Sequence, residues 1–190
     1  MKRVLVFGGS FSPPTLAHEA IIAQCLGLAG FDAVWVLPSG DRADKTIAFH
    51  DADRLAMLNL LRTERFASDP RLKVMDFELA LPRPTQTHQT VQALSAEFPD
   101  TEFWFVFGTD AYLSMPSWSH GRQLQDELGM VLFGRDEIPE KERLIHLYLE
   151  EFLAGMSSTH VRSALAKRES VGHLVSEPIA RYLMQNSFFD

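Results

Sequence analysis

The segment that follows the first strand-like run brings glycine, proline, hydroxyl and imidazole groups together. It reads Gly8-Gly9-Ser10-Phe11-Ser12-Pro13-Pro14-Thr15-Leu16-Ala17-His18. Two glycines let the backbone approach a ligand closely, and two prolines stiffen the turn. Thr15 and His18 then fall on one face at the start of a helix. A hydroxyl and an imidazole thus flank a helix N-terminus, whose free amides and dipole favour phosphate.

Taken alone, this loop is open to a plainer interpretation, a Gly/Pro turn with a threonine cap and a chance histidine. It is not a Walker loop, which ends in Gly-Lys-Ser or Gly-Lys-Thr, and it lacks the dinucleotide-binding Gly-x-Gly-x-x-Gly spacing. The loop by itself therefore leaves a phosphate site and an ordinary turn both open.

A second hydroxyl-rich segment lies near the end of the chain. It reads Gly155-Met156-Ser157-Ser158-Thr159-His160-Val161-Arg162. Successive hydroxyls can cap a helix while its remaining amides hold anionic oxygens, and Arg162, one turn into the helix, can reach the same phosphates. An ordinary helix cap is the alternative, and Ser-Ser-Thr by itself favours that alternative.

The length and the charge of the chain restrict the kinds of partner that it can have. With 190 residues, of which 46% are hydrophobic and 23% charged, it is expected to form a single domain over residues 1–190. A net charge of −7 argues against a surface that coats a nucleic-acid polymer. A small nucleotide can still bind, because a few local cations and backbone amides suffice. The oligomeric state is left open.

The cysteine content and the hydropathy pattern indicate a cytoplasmic protein. Cys25 is the single cysteine, so no internal disulfide can form, and no Cys/His cluster has the spacing of a zinc site. The first strand-like run, residues 3–7, is too short for the core of a signal peptide, and no apolar stretch approaches the length that spans a membrane. We expect Cys25 to be a core residue on the first helix.

Strand-like and helix-like segments alternate along the chain. Strands are predicted at 3–7, 33–37, 72–79, 103–107 and 130–133, helices at 16–28, 51–66, 90–98, 118–128, 161–167 and 178–185, and either at 144–149. Such alternation predicts an α/β fold, a Rossmann-like parallel sheet with helices on both faces. Ligands of such sheets bind at the carboxyl ends of the strands. Chemistry is therefore expected in the loops at Gly8, Pro38, Gly108 and Gly134.

Together, the two hydroxyl-rich segments resemble the (His/Thr)-x-x-His nucleotidyltransferase superfamily. In that superfamily the loop after the first strand and a late Ile-Ser-Ser-Thr-x-x-Arg stretch form two phosphate-binding walls, and the pair here has the same order and separation. Within the superfamily, residues 4–189 look most like the bacterial nicotinate-nucleotide adenylyltransferase family. The matching pieces are Lys45, 54–57, 76–78, Gly108-Thr109-Asp110, Trp118 and 171–189. The resemblance implies the nucleotidyltransferase type of Rossmann-like sheet.

The chain departs from the family's usual residues at a few positions. Bacterial members commonly have His in place of Thr15 and Gly in place of Ala17, and the threonine form resembles other branches that make the same dinucleotide. A segment that commonly reads Ser-Tyr-Thr is Thr85-Gln86-Thr87 here, and the usual Arg-Pro after the fifth strand is Arg135-Asp136. The phosphate-binding residues are thus kept, whereas the segment for the pyridine nucleotide differs.

The resemblance implies an activity and a set of site residues. The activity is transfer of the AMP of ATP to nicotinate mononucleotide, giving nicotinate adenine dinucleotide and pyrophosphate in NAD biosynthesis, with Mg²⁺ bound to the ATP phosphates rather than in a metal site of the protein. The expected catalytic residues are His18, Thr15 and Arg162. The expected nucleotide-binding residues are Gly8, Gly9, Ser10, Phe11, Lys45, Gly108, Asp110, Arg135, Ser157, Ser158 and Thr159. The expected acceptor-binding residues are Thr85, Thr87 and Trp118.

Other interpretations remain open at the level of the sequence. Another transferase of the superfamily would use nicotinamide mononucleotide or a different phosphate acceptor, or CTP as the donor, and an inactive nucleotide-binding sensor would keep the fold without turnover. Single residues also have plainer explanations. Trp118 could be core, Asp110 a helix cap, and Lys45 and Arg135 solvated surface cations.

Overall fold

Apolar, β-branched and aromatic runs form the sheet at the centre of the structure. The computed structural model describes residues 1–40, 47–134, 136, 138 and 140–186, and within them six strands pair in the order β3-β2-β1-β4-β5-β6, each pair parallel. The strands are β1 (Lys2–Gly9), β2 (Ala33–Pro38), β3 (Leu72–Val74), β4 (Thr101–Gly108), β5 (Gly129–Phe133) and β6 (Leu144–Leu147). The predicted Rossmann-like parallel sheet is confirmed.

Helices connect the strands, as the alternating pattern predicts. In the described ranges they are α1 (Leu16–Gly27), α2 (Asp51–Leu60), α3 (Thr87–Glu97), α4 (Thr109–Ser114), α5 (Gly121–Glu127), α6 (Glu151–Ala154), α7 (Ser158–Ala166) and α8 (Glu177–Gln185). A π-helical turn, Leu61–Arg65, continues α2 and completes the helix predicted at 51–66.

The two faces of the sheet carry separate apolar cores, because successive side chains of a strand point to opposite faces. On one face Leu5 and Phe7 belong to a cluster with side chains of α1, α2, α7 and α8. On the other face Val4 and Val6 belong to a cluster that includes Leu94 of α3. Helices therefore cover both faces, which explains why the central strands have continuous apolar stretches at 4–7 and 103–107.

The structure corrects some boundaries that the sequence pattern predicts. The strand expected at 72–79 ends at Val74, and a 3₁₀ turn, Phe77–Ala80, follows it. Within the described residues this strand lies at the edge of the sheet and pairs with β2. Just beyond it the Met75 N–H still donates to the Val36 carbonyl, and the chain then forms local turn bonds such as Leu79 N–H to the Asp76 carbonyl. The helix expected from 118 begins at Gly121, and α4 and α6 lie where no helix was predicted.

The strand order creates a crevice at the carboxyl ends of β1 and β4. These two strands are neighbours, yet β1 leads to β2 on one side and β4 leads to β5 on the other. The chains that leave β1 and β4 therefore diverge and open a gap above the sheet, the usual ligand position in this class of fold. Gly9 ends one strand and Gly108 the other, so both predicted glycine loops border this crevice.

Candidate active site

Thr15 and His18 meet at the start of α1. Thr15 is the N-cap residue, and its backbone N–H donates to His18 Nδ1 at 3.0 Å, while its hydroxyl oxygen lies 2.8 Å from the same nitrogen. A backbone N–H can only donate, so Nδ1 is the acceptor nitrogen and the neutral ring carries its proton on Nε2. The cap thus fixes both the orientation of the imidazole and the nitrogen that can donate.

Phe11 packs its ring against the His18 ring. Its side chain is fully buried, its ring lies 5.1 Å edge-on from the His18 ring, and its backbone has a φ of 43°. A Cβ on Gly9 would lie 3.2 Å from the Phe11 ring, so Gly9 makes room for the fold of this loop. Because the Phe11 side chain is in the core, only its backbone can face a ligand.

The second hydroxyl-rich segment is bonded directly to the first. Ser158 Oγ donates to the Pro13 carbonyl at 2.8 Å, and Arg162 Nη1 donates to the Ser12 carbonyl at 2.7 Å. Arg162 Nη2 also donates to Thr159 Oγ1 at 3.1 Å, within the first turn of α7. These segments are about 145 residues apart in sequence. The fold therefore places the N-termini of α1 and α7 side by side.

Ser157 begins α7 as its N-cap. Its hydroxyl accepts the backbone N–H of His160 at 3.3 Å, which leaves the Ser158 hydroxyl for the contact with the first loop. Ser157 is therefore an ordinary helix cap, the alternative that the sequence left open for this segment. Ser158 and Arg162 instead join two loops.

Arg54 supports the same loop from below, a contact that sequence reasoning missed. Its side chain is fully buried, and Nη1 donates to the Ser10 carbonyl at 3.0 Å. The signal was present, since Arg54 precedes Met57 and Leu58 by three and four positions and so shares the apolar face of α2. A charged residue on a core-facing stripe indicates a buried partner.

Gly108 and Asp110 lie at the opposite side of the crevice. Gly108 is the N-cap of α4, and Asp110 is an exposed residue in its first turn. Next to them, the buried Thr109 hydroxyl donates to a carboxylate oxygen of Asp136. Thr109 thereby fastens the loop after β5 to the start of α4.

The predicted acceptor residues come from two segments, 85–87 at the start of α3 and the loop that holds Trp118. Thr85 is buried, and its hydroxyl donates to the Pro82 carbonyl at 3.3 Å, while Thr87 is the first residue of α3. Trp118 is half-buried, and its ring meets Phe107 at the end of β4 edge-on at 6.1 Å. The indole is therefore partly a packing residue.

Two histidines link the acceptor segments, although no spacing in the sequence suggests it. The rings of His88, next to Thr87, and His120, two residues after Trp118, lie 4.2 Å apart. Burial lowers the pKa of His88, and the nearby His120 lowers it further. The pair brings the start of α3 and the Trp118 loop together.

The sequence model of the cytidylyltransferase-like family matches residues 6–164. The chain belongs to the cytidylyltransferase-like family. It is 30% identical over 201 residues to a probable nicotinate-nucleotide adenylyltransferase of Albidiferax ferrireducens, with 100% of this chain and 98% of the relative covered. It is 29% identical over 205 residues to a relative with the same name from Neisseria meningitidis, with 100% of both covered. The resemblance that the motifs carry is confirmed.

A solved structure agrees with the cytidylyltransferase-like fold. Plasmodium falciparum nicotinic acid mononucleotide adenylyltransferase, complexed with NaAD, superposes with a TM-score of 0.85 at 20% identity, covering 100% of this chain and 98% of that one. At that identity the likeness concerns the fold. In the present chain, the predicted nucleotide-binding residues Lys45 and Arg135 lie outside the described residues.

The metal chemistry of the family is compatible with the side chains that are described. Nucleotidyltransferases of this family generally use a divalent metal with ATP. Within residues 1–40, 47–134, 136, 138 and 140–186, no group of three or more His, Cys, Asp or Glu side chains could hold a metal ion. Over the same ranges no helix is long and apolar enough to cross a membrane.

Proposed function

We propose that this chain transfers the AMP of ATP to nicotinate mononucleotide, releasing pyrophosphate and giving nicotinate adenine dinucleotide for NAD biosynthesis. The observation that carries the proposal is the joining of the Thr15 and His18 cap to the Ser158 and Arg162 segment across one loop. The full-length likeness to relatives named nicotinate-nucleotide adenylyltransferase supports this choice among transferases. We propose that residues 1–190 act as one domain in the cytoplasm.

The reaction needs alignment of two anions more than a covalent nucleophile. A phosphate oxygen of the mononucleotide attacks the α-phosphorus of ATP, the new P–O bond forms, and the bond to pyrophosphate breaks. The attacking phosphate is already ionised near neutral pH, so no side-chain base is required. Positioning of the reactants can lower such a barrier by roughly 7–11 kcal/mol.

In this proposal His18 stabilises charge on the transferring phosphate. Its Nδ1 accepts the Thr15 N–H, so Nε2 carries the proton and can donate to a phosphate oxygen. A donor held in place before reaction lowers the barrier, because it need not reorient as charge develops. Thr15 holds the imidazole ring and caps the N-terminus of α1, whose first amides would face the phosphates.

Arg162 and Ser158 form the second phosphate wall of the proposed site. A guanidinium has five N–H donors, so Arg162 can hold the Ser12 carbonyl and still donate to the β- or γ-phosphate. Ser157 and Thr159 add a cap and a hydroxyl at the same helix start. Gly8, Gly9 and Ser10 contribute backbone groups to the first wall.

We propose that Mg²⁺ is the divalent metal and that the ATP phosphates carry it. Bound there, it would neutralise the negative charge of the phosphates. The residues of this chain then position the nucleotide around that charge. We expect a metal chelator to abolish turnover and added Mg²⁺ to restore it. Nucleotide binding is measured in the same samples.

The acceptor side of the proposal rests on Trp118 and the start of α3. In this proposal the half-buried indole stacks on the pyridine ring, and the exposed Asp110 accepts hydrogen bonds from ribose hydroxyls. The Gln86 N–H already donates to Gln89 Oε1 at 2.9 Å within the cap of α3. The Gln89 and Thr90 N–H groups donate to the Gln86 carbonyl. We therefore assign recognition of the nicotinate carboxylate to the first two amides of α3, those of Thr87 and His88.

A pyrophosphate-release assay tests the proposal. Purified protein is given ATP or CTP together with nicotinate mononucleotide, its amide analogue or AMP, and a His18→Ala preparation made in the same way controls for contaminating enzymes. We expect release with ATP and a pyridine mononucleotide, fastest with the nicotinate form. Pyrophosphate release with CTP but not with ATP would contradict the assignment of ATP as the donor. Tight nucleotide binding without pyrophosphate release would support a sensor.

A further inference from the structure

A buried arginine joins the loop at the end of β1 to the first residue of α2. Arg54 is fully buried and donates Nη1 to the Ser10 carbonyl at 3.0 Å and Nη2 to Asp51 Oδ1 at 2.5 Å. A guanidinium without a counter-charge is very costly away from water. The Asp51 carboxylate thus determines whether Arg54 can stay beneath Ser10.

The same carboxylate is shared with a second arginine on the acceptor side. Asp51 Oδ2 accepts Arg83 Nη2 at 2.5 Å, and this nitrogen also donates to the Leu79 carbonyl at 3.2 Å. Arg83 stands two residues before Thr85, in the segment that leads into α3. Partial burial acts to raise the pKa of Asp51, but hydrogen bonds from Arg83 and Arg54 outweigh it and hold that pKa below its ordinary value.

The two halves of this connection differ in their exposure. The Arg54 side chain is 0% exposed, whereas those of Asp51 and Arg83 are 34% and 36% exposed and line an open cavity of about 390 Å³. Breaking the buried pair of Arg54 with Asp51 is therefore far more destabilising than breaking the partly exposed pair of Arg83 with Asp51. Substitution of Arg83 can weaken the connection without leaving a charge buried.

We propose that Asp51 is a positioning residue that, through Arg54 and Arg83, couples residues 9–15 on the ATP side to residues 83–87 on the acceptor side. The connection runs from the Ser10 carbonyl through Arg54, Asp51 and Arg83 to the backbone just before Thr85. The catalytic consequence rests on the proposed function, since only a transferase needs two substrates held in register. The mechanical coupling does not depend on it.

Hydrogen exchange tests the coupling without any substrate. The reporter amides are Thr15, which donates to His18, and Ser39, which donates to the Gly9 carbonyl at 2.8 Å. We expect Arg83→Gln to speed exchange at both by about three- to fivefold, the scale of one partly exposed ion pair. Arg181→Gln is the control, because Arg181 likewise forms partly exposed ion pairs, here with Glu64 and Glu177, away from this connection. Faster exchange confined to residues 79–87 would overturn the proposal.

Kinetics test the consequence for turnover. We expect Asp51→Asn to lower kcat on the order of tenfold or more, since the buried Arg54 loses its counter-charge, with partial rescue in Asp51→Glu. Arg83→Gln should lower kcat less, and it keeps the test valid if Asp51→Asn does not fold. Unchanged kcat in Arg83→Gln and Asp51→Glu alongside faster exchange at Thr15 would contradict the catalytic consequence. If the wild type does not turn over, the proposed function fails while the exchange result still decides the coupling.

Discussion

His18 Nδ1 accepts the backbone N–H of Thr15 at 3.0 Å and lies 2.8 Å from the Thr15 hydroxyl oxygen. This contact makes the histidine part of the helix cap, so the ring cannot turn without breaking the start of α1. The imidazole is thereby preorganised, and the Phe11 ring 5.1 Å away limits its movement further. That arrangement supports the charge-stabilising role proposed for His18, which kinetics can test.

His18→Ala is expected to lower kcat by on the order of 10²-fold or more, with a much smaller change in KM for ATP. A group that interacts mainly with transition-state charge gives this pattern. Steady-state kinetics check it, with His173→Ala as the control because His173 is an exposed histidine in the same chain. A kcat close to that of the wild type would remove His18 from the mechanism.

Arg162→Ala is expected to raise KM for ATP and to lower kcat, while the protein still folds. The half-buried guanidinium binds the Ser12 carbonyl, so the variant should also lose about 1–2 kcal/mol of unfolding free energy, a value reduced for its partial exposure. Urea unfolding and ATP kinetics measure the two effects, and the exposed Lys73→Ala serves as control. Lost stability with unchanged ATP kinetics would give Arg162 a structural role alone.

Trp118→Ala is expected to raise KM for the mononucleotide with little change in KM for ATP. Stacking of a ring on an aromatic side chain is worth about 1–3 kcal/mol. Trp118 also packs edge-on against Phe107, so Trp118→Phe should keep the fold and part of the acceptor affinity. Kinetics with each substrate varied in turn measure this, and a destabilised variant with normal acceptor KM would make Trp118 a core residue.

Cys25 is expected to resist thiol reagents in the native protein. It is buried on α1, and burial raises the pKa of its thiol to about 12. Labelling near pH 8 should be roughly 100-fold or more slower than in denaturant, since the thiolate is the reactive form. Rapid labelling of the native protein would indicate local opening of α1.

The same thiol predicts a pH dependence of stability. Its pKa is higher in the folded protein, so its contribution is present below the unfolded pKa near 9.0 and is lost as pH rises toward 12. Above about pH 9 the unfolding free energy of the wild type should therefore fall more steeply than that of Cys25→Ala. Parallel slopes for the two proteins would contradict this assignment.

The sequence by itself determined the fold class, most strands and the positions of the two hydroxyl-rich segments that begin α1 and α7. Runs such as 4–7 and 103–107 are apolar without interruption, and local patterns of this kind depend only on neighbours in the chain. The sequence pattern was less reliable where pairing with a neighbouring strand decides between strand and helix. The segment at 144–149 suits strand or helix, and it becomes β6 because β5 offers it an edge to pair with.

Only the tertiary structure decided which side chains hold the site in place. Ser158 meets Pro13 across 145 residues, and Arg54 lies beneath Ser10 across 44 residues. Nor did any spacing indicate that His88 would lie against His120. A hydrogen bond or a ring contact depends on distances of a few ångströms between residues far apart in sequence. Such distances exist only once the sheet has placed its loops side by side.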